Sequence, residues 1–330
     1  PAIESERMTI AIGCDLGGTH LSVAVVQDRS LLAVRDVPVE SKRGLKVLLP
    51  SIEKTIRELL ASSALQPSDC LGLALALPSL VDFKQARVVS ANDKYPDAPS
   101  VDLHGWCDTN FRLPLVIEND ARAALRGEHF CGAGEGYADV LLLTLGTGIG
   151  SALIVDGVPY RARHVQGGNL GGHIPVSLHG RKCTCGAMGC MEAEASSWSL
   201  PLIVAEWPGI ENSSLYGFAS INFKELFRHA NAGDAVARQI VDHCIHVWSV
   251  GTVGLIHAYG PERIIFGGGI ITSADQILPR IQSYVARHAW TPSGMVTIVP
   301  AMLGNHAALH GAVPILCEFL YGADRGHDLR

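Results

Sequence analysis

The stretch Thr9–Val26, TIAIGCDLGGTHLSVAVV, decides how the rest of the chain is read. Thr9 to Cys14 is a largely apolar run of strand length that ends at Asp15-Leu16-Gly17-Gly18-Thr19. Beyond the glycines, Leu21, Val23 and Val25 alternate with Ser22, Ala24 and Val26, a period of two that predicts a second strand. The glycine loop therefore joins two strands and opens no helix. A Rossmann turn and a Walker loop both need a helix N-terminus at this point, and the latter also needs a Lys-Ser/Thr pair, so both are excluded. Two readings remain: a plain hairpin turn, or a loop whose backbone N–H groups surround phosphate oxygens.

The pattern recurs. Val140–Leu145 is a continuous apolar strand, Gly146-Thr147-Gly148-Ile149-Gly150 is a second glycine loop, and Ser151–Val155 resumes as strand before an Asp156-Gly157 turn. Two such units predict an internal duplication and favour a cleft that holds a nucleotide between two similar halves. Between them, Ile52, Ile56, Leu59 and Leu60 share one face of a helix that Pro50 and Ser51 introduce. Leu71–Leu77 reads as a buried strand stopped by Pro78-Ser79. Leu115–Ile117 feeds Glu118-Asn119-Asp120, after which Ala121, Ala123, Ala124 and Leu125 predict a helix with Asn119 at its N-cap. Asp120 falls in the first turn, where the helix dipole favours the ionised carboxylate. Later segments predict a short helix over Phe223–Ala230, a long one from Asp234 to Gly260, a strand over Ile264–Phe266 and a third glycine loop, Gly267-Gly268-Gly269. Ala307–Leu320 reads as helix broken near Pro314.

Gly167–Glu192 is of another kind. His173 precedes Cys183, Cys185 and Cys190, and Gly186 and Gly189 let the chain fold back tightly. One imidazole and three thiolates make a closed tetrahedral zinc set with no position left for a reactive water. A Cys183–Cys185 disulfide would close too small a loop to be unstrained, and chance clustering of thiols is the other alternative. The remaining cysteines of the nine (Cys14, Cys70, Cys107, Cys131, Cys244 and Cys317) are scattered and read as free thiols of a reducing compartment, the cytoplasm. With 330 residues, 48% hydrophobic and 18% charged, the chain suffices for two domains or one bilobal unit. A net charge of −6 without a basic run gives no reason to expect nucleic acid or a membrane surface as partner. The apolar runs are too short to span a bilayer.

Taken in order and spacing, Asp15-Leu-Gly-Gly-Thr19, Asn119-Asp120-Ala121, Leu145-Gly-Thr-Gly-Ile-Gly150, Gly172-His173, Cys183-Thr-Cys185-Gly-Ala-Met-Gly-Cys190-Met-Glu192 and Gly267-Gly-Gly269 resemble the ROK family of sugar kinases and related repressors. The resemblance covers nearly the whole chain. It implies an α/β, two-lobed actin/hexokinase-like (RNase H-like) fold of duplicated mixed sheets flanked by helices, with a zinc-binding loop. The small lobe would span residues 1–116, completed by a C-terminal helix at 310–330, and the large lobe residues 117–309. ATP phosphates would lie on Gly17, Gly18 and Thr19 and on Gly146, Thr147 and Gly148, with adenosine at Gly267, Gly268 and Gly269. Asp15 would help place the phosphates bound to Mg²⁺. Asp120 would be the general base for the attacking sugar hydroxyl, by analogy O6. Asn92, Asn119, Asn169, His173 and Glu192 would hold other hydroxyls, and Zn²⁺ would be structural.

Most family kinases carry Glu three residues before the histidine, where this chain has Leu170 beside Asn169. That departure leaves the sugar open and admits an inositol or anhydro-sugar kinase. Ser151 and Ala152 replace glycines common after the second loop. A sugar-responsive sensor of the same family is the reading from another class. Family repressors carry a helix-turn-helix domain ahead of the first loop, whereas fourteen residues precede Asp15, so DNA binding is not expected. Family kinases are commonly homodimers.

Overall fold

The structure, a computed structural model, describes residues 8–91, 94–218 and 220–322. It divides into two compact units: one runs to Gly136, takes in Arg161–Gln166 and resumes at Met302, and the other comprises Tyr137–Tyr160 and Gly167–Ala301.

The first unit opens with strands β1 (Ile10–Leu16), β2 (His20–Gln27) and β3 (Ser30–Pro38), followed by helix α1 (Leu45–Ser62). Strand β4 (Leu73–Leu77), the hairpin β5 (Ser79–Asp82) and β6 (Arg87–Ala91), helix α2 (Leu103–Phe111), strand β7 (Leu115–Asn119) and helix α3 (Asp120–Cys131) complete this part of it. The sheet order is β3-β2-β1-β4-β7; β2 is antiparallel to both its neighbours, and β1, β4 and β7 are mutually parallel. The period of two seen in the sequence sorts the faces. Ile12, Cys14, Leu16, Val23, Leu73 and Leu75 meet the apolar stripe Leu45, Ile52, Ile56 and Leu59 of α1. Ala11, Ala24, Ala74 and Ala76 line the other face.

Helix α1 begins at Leu45, earlier than the expected start near Pro50. Pro50 lies inside it and removes one N–H from the ladder without ending it. The cap comes from far along the chain: the Asp97 carboxylate accepts the N–H groups of Leu45 (2.6 Å) and Lys46 (3.0 Å).

In the second unit, β8 (Val140–Leu145), β9 (Ile149–Val155) and β10 (Val158–Pro159) precede the short helices α4 (Met191–Ala195) and α5 (Leu200–Ala205). Then come α6 (Phe223–Asn231), α7 (Ala235–Tyr259), β11 (Arg263–Gly267), α8 (Ala274–His288) and β12 (Thr297–Pro300). The order β10-β9-β8-β11-β12, with β8 antiparallel to β9 and parallel to β11, repeats the first sheet strand for strand. The duplication expected from the two glycine loops is therefore a duplication of whole sheets. Trp248, Ile240 and Cys244 of α7 fill the core beside Leu141, Leu143 and Phe266.

The chain returns to the first unit through α9 (Ala307–His310) and α10 (Ala312–Tyr321), which cover the alanine face of its sheet. The break between them is at Gly311, and Pro314 sits harmlessly in the first turn of α10. A Cβ on Gly311 would run into the Ala123 carbonyl of α3, and one on Gly127 into the Ala307 carbonyl, so these glycines set the close α3–α9 approach. The expected lobe boundary at 116/117 would cut β7, which is hydrogen-bonded along β4, so the first unit extends through α3. Arg161, between Glu118 and Glu318 and stacked 3.6 Å over the Phe83 ring, ties the 161–166 segment to this unit.

Candidate active site

Asp15 lies in the middle strand of the first sheet, paired to Ser22 on one side and Ala76 on the other, and Ala76 in turn pairs with Glu118. Asp120 follows two residues after Glu118, so both acids gather at the carboxyl ends of the parallel strands, the end of α/β sheets where ligands bind. Asn119 caps α3 as the sequence predicts: its Oδ1 accepts from Ala121 N (3.0 Å) and Arg122 N (3.2 Å), and its Nδ2 donates to Ser79 O (3.2 Å). Asn92, expected to hold a sugar hydroxyl, lies outside the described residues.

Burial raises the Asp15 carboxyl to about 7, the nearby Asp120 carboxylate adds to the rise, and Lys94 opposes it. Asp120 is raised as well. The helix-terminal position was expected to favour its ionised form; loss of solvation outweighs the opposing pull of Lys94, the Ala121 N–H and Asn119. A raised pKa suits a group that must take up a proton, because base strength follows pKa.

The first glycine loop is held from behind. Gly17 N donates to His20 O (2.9 Å), Tyr95 Oη donates to Gly17 O (2.6 Å), and Ser41 N donates to Gly18 O (3.2 Å). In a trans peptide the carbonyl and the following N–H point oppositely, so the N–H groups of Gly18 and Thr19 face away from these partners, as an anion cradle requires.

The second loop has its own supports. Ser197 N donates to Gly146 O (3.0 Å) and Trp198 N to Thr147 O (3.1 Å). Glu192 Oε2 accepts from Ile149 N (2.7 Å), and a Cβ on Gly148 would come within 2.5 Å of that oxygen. Glu192 Oε1 meets Trp198 Nε1 at 3.2 Å and Thr184 Oγ1 at 3.5 Å. Glu192, expected as a sugar ligand, thus braces the second glycine loop. In the third loop Gly268 has φ of 87°, and a Cβ there would collide with the Leu145 carbonyl. Gly146, Thr147 and Gly269 open onto a cavity of about 340 Å³ that Asn222, Lys224 and Thr272 also line. Sequence reading did not find these last three; Asn222 carries a recognisable signal only as the N-cap of α6.

His173, Cys183, Cys185 and Cys190 come together as the sequence predicts, with their ligand atoms all within 4.8 Å of one another. Cys183 Sγ is 3.4 Å from His173 Nδ1, and Cys185 Sγ is 3.7 Å from Cys190 Sγ. Two thiolates on a tetrahedral zinc stand about 3.8 Å apart given Zn–S bonds of about 2.3 Å, so the donor set fits zinc, and the separation is far beyond a disulfide bond of about 2.05 Å. His173 turns Nδ1 inward, leaving Nε2 as the ring nitrogen for a second partner. Gly189, at φ 67°, packs against the Ser177 carbonyl where a side chain would clash.

Asn169 is buried, and neither polar atom of its amide has a partner among the described residues. Leu170 beside it is 41% exposed. The turn that carries both is pinned by Ser151, whose Oγ donates to Gly168 O and accepts from Gly171 N, each at 2.8 Å. No described helix is long and apolar enough to cross a membrane.

Comparison with known proteins agrees with this arrangement. The ROK family model matches residues 11–318. A glucokinase of Thermotoga maritima is 32% identical over 94% of this chain and 98% of its own length. A ROK family glucokinase from Streptomyces griseus, solved in complex with glucose and AMPPNP, superposes with a TM-score of 0.75 at 28% identity, over 92% of this chain and 97% of that one. A xylose repressor of Bacillus spizizenii is 24% identical over 95% of this chain but 78% of its own length. With the family model covering nearly all of it, the two repeated sheets, the glycine loops and the cysteine-histidine cluster have one common explanation: the chain belongs to the ROK family.

Proposed function

We propose that the protein is an ATP-dependent carbohydrate kinase that transfers the γ-phosphate to a hydroxyl, O6, of a hexose or hexose-like substrate. The observation that carries this reading is Asp120, a half-buried carboxyl with raised pKa at a helix N-terminus, grouped with Asp15 at the carboxyl ends of the strands beside a glycine cradle. Asp120 takes the proton of the attacking hydroxyl as its oxygen bonds to the γ-phosphorus, while the bond from that phosphorus to the β–γ bridging oxygen breaks and ADP leaves. The N–H groups of Gly18, Thr19 and the Gly146–Gly148 loop neutralise phosphate charge, and in-line positioning does most of the remaining work. Mg²⁺, when bound with the nucleotide, supplies further charge neutralisation, with Asp15 as the side chain that would hold it. His173, Cys183, Cys185 and Cys190 would hold Zn²⁺, which with all four positions filled would stiffen the sugar-facing wall and supply no chemistry. His173 Nε2, the amide of Asn169 and Glu192 are the hydroxyl partners on that wall, and Asn119 is a further one. Adenosine occupies the cavity that Gly269 and Thr272 line, at the end of the third glycine loop. The protein works as a cytoplasmic homodimer.

A coupled ADP-release assay over hexoses, amino sugars and polyols tests the reading. At least one substrate turns over, and Asp120→Ala lowers turnover by a factor of about 10² or more. A panel without turnover, or a fully active Asp120→Ala protein, refutes it. The repressor relatives motivate a second reading, a sugar sensor without kinase activity. It would show sugar binding by calorimetry and no ADP.

A further inference from the structure

Lys94 has no task in the family motifs, yet its placement is closely determined. Its side chain lies along the first glycine loop: a Cβ built on Gly18 would stand 3.2 Å from Lys94 Cε and 3.8 Å from Nζ. The neighbouring residue fixes the backbone. Tyr95 is fully buried, adopts φ of 53° in the left-handed region that aromatic residues rarely occupy, and bonds through Oη to Gly17 O (2.6 Å) and through N to Ser41 O (3.1 Å). Ser41 N returns to Gly18 O (3.2 Å), closing a ring of bonds between the loop and this segment. Two residues further on, Asp97 anchors the segment to α1. A backbone held in an uncommon conformation immediately after Lys94 points to a side chain whose position matters. The charge of Lys94 reaches both acids of the site, since it opposes the rise of Asp15 and of Asp120 alike.

We propose that Lys94 is a phosphate-binding residue whose ammonium pairs with the terminal phosphoryl oxygens of a nucleoside triphosphate seated on Gly17–Thr19. The proposal rests on reading that loop as the phosphate cradle of a kinase. An ammonium on a flexible stem suits a multiply charged anion, because it acts as a point charge with three donors and demands no planar match. It also accounts for a cation whose charge acts on both carboxyls: Lys94 opposes the rise of each before the nucleotide arrives and neutralises the phosphate afterwards.

The test is calorimetric and needs no sugar. Titrate the wild type, Lys94→Met and Lys94→Arg with AMPPNP and with ADP, each in excess magnesium. Lys94→Met should weaken AMPPNP about tenfold and ADP less than about twofold, the loss of one charge-assisted contact to the terminal phosphate. Lys94→Arg should recover most of the AMPPNP affinity. Unchanged AMPPNP affinity in Lys94→Met, or an equal loss for both nucleotides, overturns the proposal, the second outcome marking a merely structural lysine. A protein that turns over no sugar but shows the selective AMPPNP loss refutes the kinase reading and upholds Lys94; an active kinase without that loss does the reverse.

Discussion

Asp15 carries a cost in the empty protein that should be measurable. Burial, and then the Asp120 carboxylate, raise its carboxyl from 3.8 to about 7. The folded state therefore holds this proton more tightly than the unfolded chain does. The resulting stabilisation is fully present below pH 4, is lost as pH rises between the unfolded and folded values, and is gone above pH 7. At 1.36 kcal/mol per pKa unit, the shift sets a ceiling of about 4 kcal/mol, and solvent penetration and relaxation bring the expected figure to about 1–3 kcal/mol. Asp15→Asn removes the titrating group and keeps its shape. In urea melts at pH 5 and pH 8 without nucleotide, the wild type should lose about 1–2 kcal/mol more than Asp15→Asn between the two pH values. Any effect of the substitution that is independent of pH cancels in that comparison. The same variant should bind magnesium-ATP more weakly than the wild type, since the repulsion that destabilises the empty site is what attracts a cation. Equal pH dependence in the two proteins, or a larger loss in Asp15→Asn, would refute the assignment of a desolvated Asp15 carboxyl raised further by Asp120.

Two further outcomes follow from the second unit. Gly172→Ala would drive a methyl into the Ile149 carbonyl, so denaturant melts should show a loss of about 2–4 kcal/mol, whereas Gly269→Ala, with open space around it, should stay within about 0.5 kcal/mol. Stripping zinc with a chelator should lower the melting temperature and weaken sugar binding more than nucleotide binding in calorimetry. Nucleotide affinity should still fall measurably, because Glu192, two residues from Cys190, holds the second phosphate loop through Ile149 N; a larger effect on nucleotide than on sugar would contradict this division.

Much of the fold was legible because its signals are local. The alternation on either side of Gly17-Gly18, the apolar run before Gly146, the Asn119 cap and the spacing from His173 to Cys190 each lie within a short window, and each formed as read. Reading failed where the partner was distant. The start of α1 depends on Asp97, 52 residues beyond Leu45, which no window around Pro50 contains. The break before α10 belongs to Gly311 because the Ala123 carbonyl lies against it, while Pro314, the stronger local signal, is tolerated in a first turn. Lys94 and Lys224 sit in stretches without a motif and become visible only through what they touch.

By itself, the sequence determined the repeated strand, loop, strand units and the donor set of the metal site, since backbone sterics, side-chain alternation and ligand chemistry act over a few residues. Only the tertiary structure decided that Asp15 and Asp120 share one strand end and that both are raised, that Glu192 braces the second glycine loop, and that Lys94 lies on the first. Solvation and Coulomb interactions depend on which groups surround a charge in space, and those groups come from strands and loops far apart in the chain.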